Sequence, residues 1–375
     1  LKFAARAQLA FPRTRRPLLE STDMSGVLAR VLVTGGTGFL GAYAIRDLLR
    51  RGSAVAILDL KEDKRILEQV LSATEVASLT TFFVDISSAI AVTQAVLDFR
   101  PTMVIHLAGV QIPTVRANPA LGAAVNVIGT VNIFEAVRQL AEKEKSSPAP
   151  IAYASSGAVL GPSSDYAAGG ALPAERDYHR PRTLYGVFKL CNEGTARLFW
   201  QDHSMPSVGL RPLTIFGVGR EVGLTSGPTK AVKAAVLGRR FMIEVSGVTG
   251  FHYVADVARM FVEAGMGTSK LPGAHVCGIK GHLVSYEDFL AEASRSLPEL
   301  SRLAWIKAGA PDVPIHGDVD ESPLQVLCGR TVLHMPLADA VADMVSHFKA
   351  LQKDGKLHDK DLGEEPPLAP SASKL

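Results

Sequence analysis

The chain has 375 residues, 47% of them apolar and 21% charged, with a formal net charge of +3; it is long enough for one large or two interleaved domains and reads as an ordinary soluble globular protein. The small charge, with its excess near the start, argues against a nucleic-acid partner, and no apolar run reads as long enough to span a bilayer. Three cysteines, Cys191, Cys277 and Cys328, lie too far apart for metal spacing or a disulfide framework, so no metal is expected.

Residues 1–26 read as a disordered or targeting segment. Lys2, Arg6, Arg13, Arg15 and Arg16 precede the first acid, Glu20, as in an organellar transit segment or in sequence upstream of a start at Met24. The apolar run 27–33 then predicts a buried parallel strand. It feeds Thr34-Gly-Gly-Thr-Gly-Phe-Leu-Gly41 and an apolar pattern at helical spacing over 42–50. Strand, glycine turn and helix together are the context of a dinucleotide site. Gly35 permits the sharp turn, Gly38 lets the backbone approach a pyrophosphate, and Gly41 is expected to let the helix pack on the sheet. The helix N-terminus offers free N–H groups to phosphates.

A second strand, 52–59, ends at Asp59, 18 residues after Gly41. That is the offset of a carboxylate for the adenosine ribose, and a carboxylate repels a 2′-phosphate, which favours NAD over NADP. Lys61 and Lys64 follow and soften that preference. A helix is expected over 61–78, a third strand over 80–86 ending Asp85-Ile86, and a helix over 89–99. The fourth strand, 101–109, ends at Leu107, Ala108 and Gly109, small enough at the last two to let a cofactor lie against the backbone. His106 inside it reads as a packed core histidine. One long helix is expected over 117–141, holding Asn126, an unfavoured choice mid-helix. A fifth strand runs from 150 into Ser155-Ser156. After a loop over 162–181, Tyr185 and Lys189 open a helix four residues apart, on one face. A sixth strand, 207–212, ends Arg211-Pro212. Beyond it, helices over 229–237, 285–296 and 336–351 alternate with strands over 241–245 and 274–279, and a helix entered at 250–256 runs to Met266. Residues 356–375 are polar, proline-bearing and expected to be disordered. They finish Ser373-Lys374-Leu375, a peroxisomal-type address, so the compartment reads as cytoplasmic or peroxisomal.

A tyrosine pKa near 10 is too high for a base at neutral pH, and a lysine ammonium one turn away favours the phenolate. Tyr185 with Lys189 is therefore a candidate acid/base, and the Ser156 hydroxyl a hydrogen-bond partner for the substrate oxygen. Hydride would pass between a substrate carbon and a nicotinamide.

The ordered set of glycine turn, Asp59, small-residue strand end, Ser-Ser and Tyr-x-x-x-Lys resembles the extended short-chain dehydrogenase/reductases of the NAD-dependent epimerase/dehydratase family. The resemblance covers about residues 28–350. It implies an α/β fold, a Rossmann-type doubly wound parallel sheet with a smaller interleaved C-terminal substrate domain. The division expected is 27–212 for the NAD-binding domain, with 245–270 returning to it, 213–244 and 271–352 for the substrate domain, and 353–375 as a disordered tail. It assigns Ser156, Tyr185 and Lys189 to catalysis, with Asn126 arranging the lysine through water. It assigns NAD to Gly35, Thr37, Gly38, Phe39, Leu40, Gly41, Asp59, Asp85 and Ile86 at the adenosine half. Leu107, Ala108, Gly109, Tyr185, Lys189 and Pro212 complete the cofactor set. Asp256 of the Tyr-Val-x-Asp stretch is expected to be structural.

Departures bear on the substrate. Thr214 and Thr249 stand where sugar-nucleotide enzymes of the family usually carry an Asn and an Arg for the diphosphate, and Leu160 replaces the usual Tyr after the serines. Arg220, Thr225, Ser226 and Lys230 fall in substrate-facing loops suited to a carboxylate or phosphate. The expected activity is an NAD-dependent oxidation or epimerisation at a secondary alcohol of a sugar, sugar acid or sugar nucleotide. Two alternatives stand beside it, a dehydrogenase of a steroid-like or other apolar alcohol and a non-catalytic NAD-binding sensor. By the same resemblance a homodimer is expected, paired through helices 117–141 and 185–200.

Overall fold

A computed structural model describes residues 29–162, 165, 179–315 and 317–367. The arginine-rich first segment, Met24, most of the 162–181 loop and the closing Ser373-Lys374-Leu375 lie outside the described residues.

The first half alternates strand and helix. In chain order the strands are β1 Arg30–Thr34, β2 Ala54–Asp59, β3 Thr80–Phe83, β4 Met103–His106, β5 Ile151–Ala154 and β6 Ser207–Arg211. The helices are α1 Phe39–Arg50, α2 Arg65–Val70, α3 Ala73–Ala77, α4 Ala89–Phe99, α5 Ile112–Ala117, α6 Pro119–Ala123, α7 Gly129–Glu144 and α8 Leu184–His203. The second half holds β7 Thr214–Phe216, β8 Phe241–Ile243, β9 Val248–Tyr253, β10 Ala274–Gly278, β11 His282–Ser285 and β12 Ala304–Ile306. Its helices are α9 Gly227–Val236, α10 Val254–Lys270, α11 Tyr286–Ser296, α12 Leu300–Leu303, α13 Ser322–Cys328 and α14 Leu337–Lys353.

The central sheet has seven parallel strands in the order β10-β6-β5-β4-β1-β2-β3. Its strands are continuous apolar runs because both faces are covered: Val31, Leu32 and Val33 are wholly buried, as are Val104 and Ile105. The strand order reverses between β1 and β4, so the cleft of a doubly wound sheet opens at their carboxyl ends. The expected Rossmann-type fold is thereby observed. The seventh strand, β10, corrects the expected division at 271, because residues 274–278 pair with β6 in the main sheet. A separate three-stranded sheet has the order β11-β9-β7.

Three local expectations are corrected. The single helix over 61–78 is two, because Ser72 and Glu75 form a capping box that starts a new helix. The helix expected from 117 starts instead at Pro119, capped by the Asn118 side chain on Leu121 N–H, 3.0 Å. It runs through a π-helical turn, Ala124–Ile128, into α7. This 26-residue run, Pro119–Glu144, is long and apolar enough to cross a membrane, contrary to the sequence expectation, but half of its most apolar window is buried inside the fold. It packs there against α4 and α8, as a core helix does.

The third correction concerns the end of the chain. Residues 356–367, expected to be disordered, are docked. Asp361 meets Lys233 of α9 at 2.5 Å, Arg239 pairs with Asp359 and donates to Gly363 O, and Arg240 donates to Glu365. Leu362 is buried beneath them. The Lys233 and Asp361 side chains are 5% and 8% exposed, so removing one partner strands a buried charge. Asp361→Ala should cost about 3 kcal/mol, Glu221 at 3.9 Å giving Lys233 only partial relief. A denaturation midpoint in urea equal to that of the parent would show that this strap contributes nothing.

Candidate active site

The glycine turn joins β1 to α1. Gly35 has φ +67°, and its N–H reaches across to Leu58 O at 2.9 Å. A Cβ at Gly41 would lie 2.3 Å from Gly35 O, so α1 can approach the end of β1 this closely only with glycine there. Gly38 is the N-cap of α1 and no side chain caps the helix, which leaves the first N–H groups facing the cleft for phosphates.

Asp59 closes β2 beside this turn. One carboxylate oxygen accepts from Thr37 N–H (3.0 Å) and Thr37 hydroxyl (2.6 Å), and the other from Leu60 N–H (2.8 Å). Asp59 thus fixes the turn while keeping lone pairs for two ribose hydroxyls. Asp85 accepts from Ser87 N–H and hydroxyl, and so shapes the bend that presents Ile86. Both line one cavity of about 550 Å³, together with Gly35, Thr37, Gly38, Phe39, Leu40 and Gly41. Leu107, Ala108, Gly109, Ser156, Tyr185, Lys189 and Pro212 line the same cavity. Every residue assigned to cofactor or catalysis except Asn126 is on its wall.

Asn126 stands behind the wall, in the π-helical turn. Its side chain accepts from Val110 N–H at 2.8 Å and donates to Val110 O at 3.0 Å. It therefore clamps the chain just after β4, where a Cβ at Gly109 would meet both Asn126 Oδ1 (3.1 Å) and Lys189 Nζ (3.7 Å). A π-turn carries one extra residue, and such turns often mark functional sites. Asn126 thus holds directly the backbone that it and Lys189 flank.

His106 is the expected core histidine. Thr130 gives its only hydroxyl proton to Asn126 O (2.8 Å), so it accepts from His106 Nε2–H (3.0 Å). His106 Nδ1 then accepts from Thr34 hydroxyl (2.7 Å). Burial and the Lys189 charge push its pKa down to about 3, which keeps it neutral.

Tyr185 and Lys189 rise from α8, which starts at Thr183 capping Gly186 N–H. Lys189 Nζ donates to Ala154 O at 2.7 Å and lies 5.6 Å from the Tyr185 ring centroid. Burial pushes its pKa down to about 8. Tyr185 is raised above its ordinary value by burial, opposed by the Arg220 guanidinium and by a hydrogen bond with Ser156. Lys189 and Arg220 both stand on the cavity wall with Tyr185. Ser156 Oγ also accepts from Ala158 N–H at 3.1 Å, which holds its rotamer.

Of the four loop residues expected near substrate, Arg220 and Thr225 line the cavity. Ser226 donates to Gly223 O, and Lys230 lies over the Phe241 ring, 5.7 Å from its centroid; neither is on the wall. Two residues that the sequence reading passed over support the site. Glu193 accepts from both Nε and Nη2 of Arg211 (2.8 and 2.7 Å) and from the Ser155 hydroxyl. The readable signal for Glu193 is an acid on the same helical stripe as Tyr185 and Lys189.

The sequence profile of the NAD dependent epimerase/dehydratase family matches residues 31–270. The UDP-glucose 4-epimerase of Mycolicibacterium smegmatis is 28% identical over 335 residues, 85% of this chain and 98% of that one. Human 3 beta-hydroxysteroid dehydrogenase type 7 is 30% identical over 203 residues, 51% of each chain. Among solved structures, the UDP-glucose 4-epimerase of Thermus thermophilus in complex with NAD superposes with a TM-score of 0.70 at 24% identity, over 85% of this chain and 99% of that one.

Two tests follow from the geometry. Asp59→Ala should weaken NAD binding roughly tenfold or more, through loss of charge-assisted hydrogen bonds, and weaken NADP far less; equal losses in a titration would show that Asp59 does not meet the ribose. Lys189 binds its proton less tightly folded than unfolded, so the unfolded chain holds more protons between pH 8 and the ordinary lysine value, and stability rises with pH across that window. Relative to Lys189→Met, the parent should gain on the order of 3 kcal/mol from pH 8 to 10.5. A pH-independent difference between the two unfolding curves would contradict the buried cation.

Proposed function

The chain belongs to the NAD-dependent epimerase/dehydratase family and is an NAD-dependent enzyme; on that premise we propose that it oxidises or epimerises a secondary alcohol of a sugar, sugar acid or sugar nucleotide. The observation that carries this is the convergence of the glycine turn, Asp59, Ser156, Tyr185 and Lys189 on one cavity. NAD, when bound, supplies the hydride acceptor. Tyr185 takes or returns the hydroxyl proton, with Arg220 and Ser156 opposing the rise in its pKa that burial causes. Ser156 holds the substrate oxygen, and Lys189, fixed on Ala154 O, faces the ribose of the nicotinamide half. The buried, neutral His106 moves no proton to substrate.

A homodimer is part of the same reading. Leu121 and Ile128 on the α6–α7 run, and Val187 and Leu198 on α8, are each more than 40% exposed. Large apolar side chains left in water on two adjacent helices favour a second apolar surface.

Tyr185→Phe is the decisive variant. Turnover, read as reduced-nicotinamide absorbance with a panel of sugars, sugar acids and UDP-sugars, should fall at least about 100-fold. NAD binding should stay within about twofold, since the ring and its packing remain. Full activity in the variant would remove Tyr185 from the chemistry.

A further inference from the structure

The substrate end of the cavity carries a guanidinium without an acid. Arg220 lines the cavity, and among the described residues no carboxylate lies within ion-pair distance of it. Its polar contact is with Thr225 Oγ1 at 3.3 Å, its Nε is buried with no hydrogen-bond partner, and one face lies 5.7 Å from the Phe39 ring centroid. The neighbouring acid, Glu221, also lines the cavity, but its carboxylate is paired with other groups than Arg220. It faces His358 (3.0 Å), Arg65 (3.6 Å) and Lys233 (3.9 Å). A desolvated cation left unpaired costs stability, and such groups are kept where a ligand supplies the counter-charge.

The rest of this end is a poor fit for a nucleotide diphosphate. Leu213, Leu224, Val313 and Ile315 give it apolar walls. Thr214 and Thr249 are wholly buried and bond each other through their hydroxyls at 3.2 Å, and neither reaches the cavity. One planar, two-pronged cation matches one carboxylate, whereas a diphosphate calls for several donors. Arg220 and Tyr185 line the same cavity, which places the anion and the reacting alcohol in one site.

We propose that Arg220 binds the carboxylate of a short hydroxy acid, such as a sugar acid, whose secondary alcohol is oxidised at Tyr185. This rests on the hydride-transfer reading above and narrows its substrate class. The step balances with NAD: the carbinol C–H gives hydride to the nicotinamide, the O–H gives its proton to Tyr185, and an oxo acid and reduced cofactor leave.

The test uses the full chain with saturating NAD. Probes are hydroxy acids of three to seven carbons, including 3-hydroxybutyrate and D-gluconate, their methyl ester or amide, and UDP-glucose. At least one acid should be bound and oxidised, with its uncharged derivative weaker by about 100-fold or more. Arg220→Gln should raise KM for that acid by about 100-fold, leave NAD affinity within about twofold and not lower the melting temperature, because the parent cation has no acid to lose. Binding is measured separately in Tyr185→Phe protein. An acid that binds there through Arg220 without turnover in the parent upholds the carboxylate site at Arg220 but overturns its oxidation at Tyr185, and with it the hydride-transfer reading. Equal turnover of acid and uncharged derivative, preference for UDP-glucose, binding of no acid, or a lowered melting temperature in Arg220→Gln overturns the inference.

Discussion

The site depends on one buried ion pair. Tyr185, Lys189 and Glu193 are successive rungs of a single stripe on α8, four residues apart. The third rung is locked to Arg211 on β6 by two charge-assisted bonds and to Ser155, just after β5, by another. Both charges are nearly inaccessible, at 3% and 8% exposure, so neither can be given up without stranding the other, a loss on the order of 3–5 kcal/mol. The consequence is geometric. A helix held at its third rung cannot rotate or slide, and the first two rungs are therefore fixed relative to the strand end that bears Ser156. The Asn192 side chain, which donates to Asn126 O at 2.9 Å, ties the same helix to the π-helical turn.

A second constraint works at the head of β1 and β4. Thr34 accepts from Ala108 N–H while bonded to His106, which is bonded to Thr130, which is bonded to Asn126 O. These neutral groups satisfy one another in a region where an unpaired polar atom would be costly. They hold the floor under the small-residue strand end without placing a charge there. Lys189 is a cation against that floor, and its ammonium donates to a backbone carbonyl, Ala154 O.

Much of this was legible in the sequence because local chemistry imposes it. A turn that brings Gly35 O within 2.3 Å of where a Cβ on residue 41 would sit accepts only glycine. An acid at the end of β2 and a tyrosine and lysine one turn apart are equally local signals. What escaped notice depends on residues far apart in the chain. The Glu193–Arg211 pair, the closure of Thr214 on Thr249 and the diversion of Glu221 toward His358 each join different elements. The docked strap was missed because its composition resembles a solvated tail, while its acids happen to face Lys233, Arg239 and Arg240. The split helix and the late start at Pro119 are different: their capping residues, Ser72 with Glu75 and Asn118 with Pro119, were readable and outvoted by the apolar pattern.

The strap also bears on the order in which the enzyme becomes competent during synthesis. A ribosome delivers the chain from its first residue onward, and segments fold as they emerge. Strands β1 to β6, the glycine turn and the α8 stripe are all made once residue 211 is out, whereas α10, which packs on α1 and on β4 to β6, and β10, which pairs with β6, come later. The loop bearing Arg220 and Glu221 has to wait. Two of the groups that hold Glu221's network, His358 and Asp361, are translated nearly 140 residues later. Until then Glu221 sits next to an unpaired guanidinium with part of its own network missing. The charge pattern around the Arg220 loop is therefore complete only when the last part of the described chain has been made.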